Sequence, residues 1–136
     1  KDGCLNRLTK LAKSLNVPTI FTGRLSKKEW VELASNYDIF INTTTIDNTP
    51  VSVLEAMALG LPVVTTNVGG IPFLLKDGTH ANLVESDDVE GMAHAVSVLA
   101  ENPIGAQKMA KNARELAETF DWATVRKQWF KLIEEC

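Results

Sequence analysis

Between residues 42 and 70 the chain reads NTTTIDNTPVSVLEAMALGLPVVTTNVGG, and no other stretch constrains the fold as tightly. It predicts the end of one strand, a polar loop, a short helix, a second strand and a glycine-rich turn. Thr49 is placed to cap the helix, Pro50 suits its first position, and Gly60 with Pro62 ends it. Val51, Val53, Leu54, Ala56, Met57, Ala58 and Leu59 make that helix apolar nearly all round, which predicts burial. One charge interrupts it, at Glu55. A carboxylate in such a helix is costly unless it meets a hydrogen-bond donor or a cation, and the adjacent sequence offers no cation. A pair of ligand hydroxyls would satisfy it.

The same alternation of strands and helices extends on both sides. Leu5, Leu8, Leu11, Ala12 and Leu15 recur at helical spacing, and that helix ends near Asn16 and Pro18. Further strands are expected at residues 19–22, 39–41, 62–66 and 83–84. Ser26 and Glu29 form a capping box for a second helix that buries Trp30, Leu33, Ala34 and Tyr37. A single helical turn over 71–75 leads into a turn at Lys76, Asp77 and Gly78.

From about residue 87 the pattern is wholly helical. Asp87 and Glu90 cap a helix faced by Val89, Met92, Ala93, Val96 and Leu99. A second is striped by Met109, Ala110, Ala113, Leu116, Ala117 and Phe120. Asp121 starts a third, with Trp122, Val125, Trp129, Leu132 and Ile133 on one side. The expected fold is α/β: a Rossmann-like parallel sheet with helices on both faces, in a single domain. In such sheets ligands bind beyond the carboxyl ends of the strands. The loops at 23–25, 43–50 and 67–70 are therefore expected to converge.

Composition excludes several classes of function. A hydrophobic fraction of 45% with 23% charged residues is ordinary for a globular domain. A net charge of −3 argues against nucleic acid as the main partner. No apolar run is long enough for a membrane span, no signal peptide is visible, and Cys4 and Cys136 lack metal-ligand spacing. Two free thiols in a cytoplasmic protein follow as the expectation. His80 and His94 have no partner at ligand spacing, and His94 falls on a polar helix face. No G-x-G-x-x-G, G-x-S-x-G or Walker sequence is present.

Free N–H groups at the start of a helix favour an anion. Asn48, Thr49, Val51 and Ser52 could supply such amides, while Pro50 has none to give. Asp47 in T-I-D-N-T-P is equally compatible with a turn former. Gly69 and Gly70 suit either a plain turn or a close backbone approach to a sugar or phosphate.

Asp47 and Glu55, eight residues apart and followed by EAMALGLPVVTTNVGG, resemble the E-x(7)-E region of retaining nucleotide-sugar glycosyltransferases of family four, with the GT-B fold. FTGRLSKKEWVELASNYDIFINTTT is similar to the preceding segment of that family, and the likeness runs over nearly the whole chain. Asp47 departs from it, since the family more often has Glu there. The resemblance implies a C-terminal, donor-binding domain, entered after two strand–helix units that carry an Arg/Lys pair.

On that resemblance, Glu55 accepts ribose hydroxyls and Asp47 meets the donor sugar. Asn48, Thr49, Pro50, Val51 and Ser52 cradle the diphosphate, and Gly23, Arg24 and Leu25 frame the base. It implies a nucleoside-diphosphate-sugar substrate, no cofactor or metal, and no sugar transfer by the 136 residues alone. The acceptor, a glycan or lipid-linked glycan, would be bound by an N-terminal domain, which is compatible with peripheral membrane association of the full protein. Two alternatives stay open: a non-catalytic nucleotide-binding module, and a GT-B sugar-nucleotide epimerase or phosphorylase.

Overall fold

The computed structural model describes residues 4–135, in two compact units. The first runs to Trp30 and the second starts at Val31. In the first, α1 (Cys4–Ser14) carries the expected leucine stripe, but none of its residues is buried. It ends where expected. Asn16 takes the left-handed conformation (φ 53°), Val17 N–H donates to Ala12 O and Asn16 N–H to Lys13 O. Those two bonds satisfy carbonyls left over at the helix end.

Residues 19–22, expected to be a strand, form none. A strand exists only through its paired neighbour, and among the described residues none pairs with this segment. The unit boundary falls within α2 (Lys27–Ala34). Its capping box is formed as expected: Ser26 N–H donates to Glu29 Oε2 at 2.8 Å, and Glu29 N–H to Ser26 Oγ at 3.3 Å. The Ser26 hydroxyl and then its amide, both donating to the carboxylate, hold the Glu29 carboxyl below its ordinary range. Ala34 is buried, Trp30 and Leu33 half-buried, and Tyr37 exposed, contrary to expectation.

The second unit is built on a parallel sheet of β1 (Phe40–Asn42), β2 (Val63–Thr66) and β3 (Asn82–Val84), in that spatial order. Phe40 lies opposite Val63, and Val64 opposite Asn82. Neighbouring residues of β2 point to opposite faces, and each face has its own core. Val63 packs with Val53, Met57, Ile71 and Ala113 on one side; Val64 packs with Val84, Leu99, Ala106 and Met109 on the other. Thus α3 (Val51–Ala58) covers one face, α5 (Val89–Glu101) the other, and α6 (Pro103–Glu118) reaches both. The doubly covered parallel sheet read from the sequence is present.

Details of the helices depart from the reading. Pro50 is the N-cap of α3 rather than its first residue, and no side chain, Thr49 included, caps the helix. Only Val53, Ala56 and Met57 of α3 are buried; Val51 is 61% exposed. A helix lying on a sheet buries the face turned toward it, and among the described residues nothing covers the outer face. Gly60 ends α3 as expected, with φ 78°, while Gly60 N–H and Leu61 N–H return to Met57 O and Ala56 O.

After α4 (Ile71–Leu74), the turn at Lys76 to Gly78 is fixed by Asp77 Oδ1, which accepts from Leu83 N–H at 2.8 Å. Asp88, not Asp87, caps α5 by accepting from Gly91 N–H, and Asp87 sits in the left-handed region at φ 65°. Asp121 starts α7 (Trp122–Glu134) as expected, yet no residue of that helix is buried. Phe120, expected to complete the α6 stripe, is also exposed.

Candidate functional site

The loop after β1 is held at two points. Near its start, Thr66 Oγ1 donates to Thr44 O at 2.6 Å, and Thr44 Oγ1 donates to Ile46 O at 3.1 Å. Near its end, Gly70 N–H donates to Asp47 O at 2.9 Å. Here the two glycines show their purpose. A Cβ added to Gly69 would lie 1.9 Å from Asp47 O, and one added to Gly70 1.9 Å from Asn48 O. Gly69 also has φ 56°, where side chains are strained. The close approach that the pair makes is to the backbone of this chain.

The glycine loop is itself anchored. Asn67 N–H donates to Val84 O at 2.7 Å, and Asn67 Nδ2 to Glu85 Oε1 at 2.9 Å. Ile71 N–H closes the loop onto Val68 O. Two of the three loops expected to converge, 43–50 and 67–70, do so at Asp47 and Asn48.

Next along the chain comes the start of α3. Pro50, extended at φ −69° and ψ 106°, accepts from Val53 and Leu54 N–H through its carbonyl. The amides of Val51 and Ser52 precede the first such bond, so they have no acceptor within the helix. Both residues are exposed. With no side-chain cap, this helix start presents N–H groups and the positive end of its dipole outward. Asn48 and Thr49 are also exposed; Asp47 is half-buried.

Glu55 lies four residues after Val51 and three after Ser52, hence on the same side of α3. At about 1.5 Å rise per residue it sits roughly 6 Å further along the axis than Val51. It is half-buried, on the border between the face packed on the sheet and the uncovered one. An anion at the helix start and a hydroxyl-bearing group alongside it would therefore meet Val51, Ser52 and Glu55 in turn. Gly23, Arg24 and Leu25 belong to the first unit. Gly23 turns with φ 65°, Arg24 is exposed and Leu25 half-buried.

A separate cleft of about 560 Å³ opens beyond the strand ends, lined by Thr43, Thr45, Thr66, Glu85 and Asp88 with Met92 and Val96 beneath. Asp47 and Glu55 do not line it. Sequence reasoning missed Thr44, Thr66, Asn67 and Glu85 as supports of the site. One signal was legible: two hydroxyls close an otherwise apolar, buried strand. Thr65 Oγ1 accepts from Asn42 Nδ2 at 3.1 Å, and Thr66 reaches Thr44. Buried hydroxyls need such partners, but the sequence does not name them.

Among the described residues no three His, Cys, Asp or Glu side chains are grouped to hold a metal. Cys4 is a free, exposed thiol, and Cys136 lies outside the described residues. No helix among them is long and apolar enough to cross a membrane.

Known proteins share both sequence and fold with this chain. The sulfoquinovosyl transferase of Arabidopsis thaliana is 32% identical over 109 residues, covering 78% of this chain and 21% of that protein. A glycogen synthase of Mycobacterium tuberculosis is 34% identical over 108 residues, covering 79% and 26%. The chain thus spans about a fifth to a quarter of the length of these relatives.

Among solved structures, Anabaena HepE in complex with UDP superposes with a TM-score of 0.87 at 22% identity, over 97% of this chain and 37% of that one. The sucrose-phosphate synthase of Thermosynechococcus elongatus gives 0.84 at 24% identity, over 96% and 33%. These likenesses establish the GT-B type of fold. The model of the family described as glycosyl transferases group 1 matches residues 4–116. By that match, with the parallel sheet and the carboxylate-bearing helix already described, the chain belongs to the group 1 glycosyl transferases.

Proposed function

We propose that this chain is the donor-binding part of a glycosyltransferase. It would move a sugar from a nucleoside diphosphate to an acceptor, with retention at the anomeric carbon. The observation that carries the reading is the uncapped, exposed start of α3, which has Asp47 just before it and Glu55 one turn on. The diphosphate lies against the Val51 and Ser52 amides with Asn48 and Thr49 beside it, and the ribose hydroxyls donate to Glu55. The sugar lies toward Asp47. Support comes from the HepE neighbour, whose structure holds UDP, a ligand of this class. The retaining outcome rests on the likeness of residues 47–55 to the E-x(7)-E region.

In this arrangement the chain's own groups act by position and by charge. The donor is fixed by contacts at both ends of the diphosphate. Negative charge that develops on the departing diphosphate meets fixed amide dipoles, which need no reorganisation as the bond breaks. No metal or cofactor is invoked. The acceptor, a glycan or lipid-linked glycan, is assigned to a further domain of a longer protein, with peripheral membrane association as one way to meet it.

Calorimetry with nucleoside diphosphates, beside turnover assays on this chain and on the full-length protein, tests the reading. The expected result is diphosphate binding by both, sugar transfer by the full-length protein, and none by the 136 residues alone. Diphosphate binding without transfer by the full-length protein would instead establish a non-catalytic nucleotide-binding module. Absence of binding by the full-length protein would overturn both.

A further inference from the structure

The geometry points to Gly69 and Gly70 as positioning residues for the donor-sugar carboxylate, acting through the backbone of Asp47 and Asn48 rather than by touching a ligand. This inference rests on the proposed placement of the sugar at Asp47. The loop that bears Asp47 follows the three-residue strand β1 and contains no element of its own until α3 begins. Something else must fix its carboxylate.

Three observations identify what does. The Gly70 amide holds Asp47 O at 2.9 Å. The space where Cβ atoms of residues 69 and 70 would stand is filled by the carbonyl oxygens of Asp47 and Asn48, each 1.9 Å away, whereas ordinary contact begins near 3.4 Å. And the glycine loop is tied down at its own base, where Asn67 bonds Val84 and Glu85 of the β3 end. The position of Asp47 is thereby referred to the sheet through residues 67–70. The Thr66 hydroxyl on Thr44 O pins the same loop at its other end.

A side chain at 69 forces the Asp47 backbone aside while leaving Glu55 and the α3 amides where they are. A displacement of about 1 Å from productive geometry can cost about 100-fold in rate. In the full-length protein, Gly69→Ala is therefore expected to lower kcat for transfer about 100-fold. The Kd for the nucleoside diphosphate alone should change less than about three-fold, because that ligand does not reach Asp47.

The double-mutant cycle separates positioning from general damage. If the glycine acts through Asp47, then Gly69→Ala added to Asp47→Asn costs little beyond Asp47→Asn alone. Should Gly69→Ala fail to fold, Thr66→Val removes the pin at Thr44 O with little change of volume. It should show the same pattern, with about a ten-fold loss of kcat and an unchanged diphosphate Kd.

Losses that multiply independently in the cycle overturn the inference, as does a fall in diphosphate affinity that matches the fall in transfer. The second result would mean that the glycine loop contacts the nucleotide itself. If Asp47→Asn transfers sugar at the parent rate, the placement of the sugar at Asp47 fails, and this inference with it. The two failures are thus distinguishable.

Discussion

Glu55→Gln in the full-length enzyme is expected to lower kcat/KM for the donor by roughly 1–3 kcal/mol, or about 5- to 150-fold. The substitution keeps the size of the side chain, so packing of α3 is preserved. It removes the negative charge and replaces one acceptor oxygen by a donor, which cannot receive a second hydroxyl. The expectation rests on where Glu55 sits: half-buried, on the same side of α3 as the exposed Val51 and Ser52 amides, one turn from the helix start. A carboxylate serving only the fold would give the opposite pattern. Glu55→Gln would then lower the melting temperature and leave donor KM and kcat unchanged. Both quantities are to be read on the same preparation.

Met57→Ala is expected to destabilise the chain by about 2–5 kcal/mol. Met57 is fully buried, packed with Val53, Ala56, Val63, Ile71 and Ala113 where α3 meets the sheet and α6. Truncation leaves a cavity between three elements that cannot all close on it. Against a total stability of about 5–15 kcal/mol for a domain, the loss is large. Urea unfolding should show a lower midpoint with an unchanged slope. Val51→Ala, on the uncovered face of the same helix, should stay within about 0.5 kcal/mol. Comparable losses at both positions would contradict the one-sided burial of α3.

The parts of the fold legible in the sequence are those that local chemistry decides. Gly60 can end α3 because its left-handed backbone costs glycine nothing, and Ser26 with Glu29 satisfies amides within four residues of chain. Where two neighbouring residues offered the same chemistry, the sequence could not choose. Asp87 and Asp88 are equally good caps, and the left-handed backbone at Asp87 settles it for Asp88. Thr49 has the capping hydroxyl, yet the extended conformation of Pro50 makes it the N-cap and places Thr49 outside.

The features that stayed hidden depend on partners distant in sequence. Residues 19–22 have strand composition, but among the described residues no strand pairs with them. Apolar residues all round α3 look the same whether one face or both are covered. Gly69 and Gly70 look like any turn until Asp47 and Asn48 are seen to occupy the space of their missing side chains. Glu55 stands out in the sequence as a charge in an apolar helix, and the structure places it half-buried on the same side of α3 as Val51 and Ser52. The supports at Thr44, Thr66, Asn67 and Glu85 were not legible.

The start of α3 is proposed to hold the diphosphate of a nucleotide. The most direct measurement is a titration of the isotope-labelled chain with a nucleoside diphosphate, following backbone amide resonances. The largest saturable shifts are expected at Val51 and Ser52, with Glu55 following, and those shifts should be lost when the nucleoside without phosphates is used. Saturable binding that moves other amides and leaves Val51 and Ser52 in place would contradict it.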